Sequence, residues 1–154
     1  MKIYNFEDLV VWQLARELVK DIYAQFATSK DYGFNNQIQR AVISIMNNIA
    51  EGFDRSKNAK DNKQLLSYLN TSYGSCGEVK SMLYVAEDLE YIHADIAKSL
   101  REHCTDLSIK IASFMSHLRS YDINKNNKNN SEANQHEITN SEANQQPKAN
   151  QQQS

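Results

Sequence analysis

Hydrophobic positions recur along this chain at alternating steps of three and four, the period of one face of an α-helix. Val11, Ala15, Leu18, Ile22 and Phe26 form the first such stripe and predict a helix from about Phe6 to Ala27. Asn5 is placed as its N-cap, with Glu7 and Asp8 in the first turn, where carboxylates favour the positive end of the helix dipole. Gly33, within SKDYGF, reads as a turn. A second helix is predicted over Gln37 to Arg55, with Ile38, Ala41, Val42, Ile45, Ile49 and Gly52 on one stripe. The polar stretch DRSKNAKDNK leads to a long third helix, Lys60 to Glu90, whose stripe is Leu65, Leu69, Ser72, Cys76, Val79, Leu83 and Ala86. After YIHAD the rhythm returns in a fourth helix through Ile96, Leu100, His103, Leu107, Ile111, Phe114 and Leu118. Four helices with short connections predict an all-α, antiparallel up-down four-helix bundle over residues 1–122.

The pattern stops near Asn124. From there the chain is almost entirely Asn, Gln, Ser, Glu, Lys and Ala, and NSEANQ occurs at Asn130 to Gln135 and again at Asn140 to Gln145. Apolar side chains that could offset the entropy of ordering are scarce, so residues 123–154 are expected to be a disordered C-terminal tail.

Two helices carry more apolar surface than one bundle face needs. Ile43, Met46, Ala50 and Phe53 form a second seam on the second helix. Together its two seams cover an arc of about 200°, against the roughly 100° a surface helix buries. On the third helix Leu66, Tyr73, Gly77 and Tyr84 line up beside the main stripe. Exposed apolar surface of this extent marks partners, and these eight residues are the expected oligomer interface. Alongside runs a polar strip, Gln37, Arg40, Ser44, Asn48, Glu51 and Arg55, with Glu51 and Arg55 in the favourable i,i+4 order. With Glu78, which could approach Glu51 from the third helix, it is expected to be a structural hydrogen-bond network.

Composition and charge remove several classes of function. The bundle region holds 14 Lys and Arg against 16 Asp and Glu, which is not the basic balance of a dedicated nucleic-acid binder. No apolar run approaches the roughly 20 residues of a membrane span, and MKIYNFEDL is not a signal peptide. Cys76 and Cys104 lack metal-ligand spacing and read as reduced, buried thiols of a cytoplasmic protein. No phosphate loop, dinucleotide fingerprint or Glu-x-x-His motif occurs, so neither enzyme activity, a metal, a cofactor nor a small-molecule substrate is expected. His103 lies in its stripe and is expected to be a neutral core histidine. GSCG, Gly74 to Gly77, is expected to pack helices through small residues, because an interior glycine costs about 1 kcal/mol relative to alanine. The one short cationic cluster is Arg55, Lys57, Lys60 and Lys63, a solvated loop that could contact RNA or DNA phosphates if repeated around an oligomer.

The segments FEDLVVWQLA, YGFNNQIQRAVISIMNNIAEGFDR, GSCGEV and LEYI resemble the four-helix-bundle family of proteins encoded in intervening sequences of 23S rRNA genes. The resemblance is carried by Phe6, Leu9, Trp12, Gln37, Ile38, Arg40, Ala41, Asn48, Ile49, Ala50, Glu51, Gly52, Arg55, Gly74, Ser75 and Glu78. It implies a homopentameric ring without established catalytic activity. That family in turn is similar to accessory proteins of diversity-generating retroelements, which implies nucleic acid and a reverse transcriptase as conceivable partners. The chain departs from those relatives in its mildly acidic bundle and in Gln39, where a second Arg is frequent.

Overall fold

The computed structural model describes residues 3–143, with side chains as far as residue 130. Four helices follow a short 3₁₀ turn, Phe6–Asp8: α1 (Val10–Phe26), α2 (Tyr32–Ser56), α3 (Lys63–Asp88) and α4 (Ala94–Ala143). They form an up-down bundle over the unit that ends at Leu118, and the described residues contain no strand. A second unit begins at Arg119, so the division falls a few residues before Asp122. In it α4 runs on to Ala143 through the Asn-rich stretch, and residues 144–154, with the end of the second NSEANQ, lie outside the described residues.

The stripes of α1, α2 and α3 are buried at every expected position, and with Leu100, Cys104, Leu107 and Ile111 of α4 they build one core. Burying such side chains contributes about 1.5–3 kcal/mol each, the main force holding polar-surfaced helices together. Cys76 and Cys104 are free thiols within it. Burial pushes Cys76 up to about 11 and Cys104 up to about 12, since a thiolate there would lose its hydration.

Three local expectations are corrected. The first α-helix begins at Val10, because Asn5 opens only the 3₁₀ turn and makes no side-chain cap bond. Gly33 lies inside the first turn of α2: Asp31 is the N-cap and its carboxylate accepts the Phe34 N–H at 2.9 Å. Tyr91 also donates its hydroxyl to Asp31 at 2.8 Å, tying the α3–α4 connection to the start of α2. These two donors, the Phe34 N–H first, hold Asp31 below its ordinary pKa. In α4 the buried line passes through Cys104 and not His103, whose exposed ring has Nδ1 3.9 Å from Asp21 Oδ2.

Connections are closed by backbone bonds. Past α3, the Tyr91 N–H reaches the Ala86 carbonyl at 2.8 Å, and Glu90 takes φ 57°, the left-handed conformation that lets a helix end sharply.

Candidate functional site

The polar residues picked out by sequence converge on the junction of α2 and α3. Rising numbers on α2 meet falling numbers on α3, as antiparallel neighbours must. Ser44 Oγ lies 3.0 Å from Ser75 Oγ, and Ser72 donates its hydroxyl to the Ile45 carbonyl at 3.0 Å. Asn48 Nδ2 donates to the Ser44 carbonyl at 2.8 Å and to Ser44 Oγ at 3.0 Å. Farther along, Gly52 faces Tyr68: a Cβ on Gly52 would stand 2.5 Å from Tyr68 Cβ and 3.3 Å from Leu65 Cδ1. The missing side chain lets the two helices close at this point.

Glu51 sits beside that contact. Its Oε1 accepts the Tyr68 hydroxyl at 3.0 Å and Arg55 Nε at 2.8 Å, and Arg55 also lies over the Tyr68 ring. The Tyr68 hydroxyl and then Arg55 hold the Glu51 carboxyl below its ordinary pKa, and the same bond pushes Tyr68 up. These groups are exposed, so their worth is local order more than stability.

The expected strip therefore divides. Ser44 and Asn48 form an uncharged seam with Ser75, while Glu51 and Arg55 form a charged clamp with Tyr68. Gln37, Arg40 and Glu78 instead line an open groove of about 460 Å³ with Gly33, Asn36, Ala41 and Ser44. Glu51 and Glu78 do not approach each other. Their sites along α3 are marked by Tyr68 and Glu78, ten residues or about 15 Å apart on a helix. Tyr68 went unnoticed in the sequence, although Gly52 in a buried stripe calls for a close neighbour.

The expected oligomer seams also fare differently. On α2, Met46 and Phe53 pack against the core, with Ile43 and Ala50 half-buried. Leu66 of α3 packs against the core as well. Tyr73 and Tyr84, in contrast, are 47% and 52% exposed. Between them the α3–α4 junction is a groove of about 320 Å³, lined by Tyr73, Gly77, Lys80 and the small Thr105, Ser108 and Ala112 of α4. Lys80 spans it, donating to Thr105 at 2.9 Å. Arg101, ion-paired to Glu87, stacks on Tyr84 at 4.1 Å. Among the described residues nothing lies within 4 Å of a Cβ built on Gly74 or Gly77. The expected packing role of these glycines is thus not met among the described residues.

Most of the loop cations have acidic neighbours. Lys57 Nζ lies 2.7 Å from Asp54, Lys63 Nζ 3.3 Å from Asp61, and Arg55 Nη2 2.7 Å from Glu51. These pairs leave little net field for a phosphate.

The geometry suits a joint between helices, and comparison with known proteins gives it a family. The family model described as 23S rRNA-intervening sequence protein matches residues 7–113, well over half of the chain. The chain belongs to this family. Among solved structures, it is similar to a crystal structure of a protein with unknown function from the S23 ribosomal protein family of Bacteroides thetaiotaomicron. The two share 23% identity over 69% of this chain and 98% of that one, with a TM-score of 0.62, a likeness of fold. A comparison with curated proteins gives no match.

Many of the family-like residues of this chain have structural work. Leu9, Ile38, Ala41, Ile49 and Gly52 are buried, Phe6 meets Trp12 edge-on at 5.1 Å, and Ser75 and Asn48 are bonded in the seam. Gly74, in contrast, is exposed with open space over it among the described residues.

Proposed function

We propose that this member of the 23S rRNA-intervening sequence protein family is a non-enzymatic, self-associating scaffold, with the exposed side of α3 and α4 as its contact surface. Gly77 carries the reading. A glycine in a helix interior costs about 1 kcal/mol, and Gly52 offsets that cost by admitting Tyr68. Gly77 admits nothing among the described residues, so its use lies with a neighbour whose backbone comes close. The surroundings support this: Tyr73, Tyr84 and Ile109 are exposed, and exposed tyrosines are frequent anchors of protein interfaces. Ile109, 59% exposed, joins this groove to a second apolar groove of about 460 Å³ between α1 and α4, lined by Ile3, Val10 and Phe114. The number of copies we take from the family resemblance, which implies five.

Light scattering tests the reading on the full chain. The expected mass is near five times 17.7 kDa, and Gly77→Leu is expected to give folded monomers, since its side chain meets open space in the isolated bundle. A wild type that stays monomeric at high micromolar concentration overturns the proposal, and a Gly77→Leu variant that assembles normally moves the contact elsewhere. Tyr84→Asp should weaken assembly more than folding.

A further inference from the structure

We draw no further inference here: the strongest candidate, the apolar face running from the α1–α4 groove across Ile109 to Tyr73 and Tyr84 of α3, is the surface already given to self-association, and nothing in the structure shows which part of a second copy covers it.

Discussion

The two long sides of α3 solve the same packing problem in opposite ways. Toward α2 the helix is closed: Gly52 receives Tyr68, and Ser72 and Ser75 find oxygen partners across the joint. Toward α4 it leaves a groove, with Gly77 and three small α4 residues where bulky side chains could have met. Both sides use glycine and hydroxyl residues, so composition alone does not distinguish them. What separates them is whether the space made by a small residue is filled from within the chain. A filled gap is a structural device, and an unfilled one points outward.

That contrast can be broken by substitution. Gly52→Ala should have the largest effect, a loss of about 1–3 kcal/mol, because Tyr68 Cβ is fixed by its bond to the α3 backbone and cannot swing aside. Urea unfolding checks it, and an unchanged midpoint would mean that the helices can separate here at no cost. Gly77→Ala should move the other way, stabilising the isolated bundle by about 1 kcal/mol from helix propensity while weakening association. Unfolding at high dilution, paired with mass at high concentration, separates the two effects. Ser72→Ala, which removes a buried bond to the Ile45 carbonyl, should cost about 0.5–1.5 kcal/mol by the same unfolding measurement.

The smallest change concerns Glu51. Its carboxyl has a lowered pKa in the folded chain, so its contribution is present above the ordinary carboxylate value and lost as pH falls through the folded one. Tyr68→Phe removes the leading cause, the hydroxyl bond. Carboxyl titration followed by NMR should then show Glu51 moving up toward its ordinary value, with a shallower loss of stability on the acid side. A titration unmoved by the substitution would assign the shift to Arg55 alone.

Much of this fold was legible in the sequence because burial follows helical period. The stripes of α1, α2 and α3 were read residue by residue, whereas the polar strip beside α2, expected as one network, is split into a seam, a clamp and a groove. Errors arose where period gives no information. Gly33 suggested a turn, but Asp31 could cap the helix two residues earlier, and glycine is tolerated in a first turn. His103 and Cys104 are adjacent, so a stripe read one residue out of phase exchanged an exposed ring for a buried thiol. Of the second seam of α2, Met46 and Phe53 pack against the core of their own chain. Tyr68 was missed for the reverse reason: its ring lies against glycine while its hydroxyl reaches an exposed carboxylate, a pairing across helices that no periodicity records. The split of Arg40 and Glu78 from the rest of the strip depends on the register between α2 and α3, fixed only when Ser44 meets Ser75.

The two core thiols have a practical consequence. Cys76 and Cys104 sit on facing parts of α3 and α4, fully enclosed, and burial pushes them up to about 11 and about 12. A thiol so placed is neither accessible nor ionised near neutral pH, and only the thiolate attacks an alkylating reagent. Modification must then wait for the helices to part, and its rate becomes a clock for opening of the bundle. At low reagent the rate should follow the equilibrium between closed and open chains, whereas at high reagent it should level off at the opening rate itself. The protein thus carries its own reporter of breathing at the very joint where α3 meets α4, without an added label.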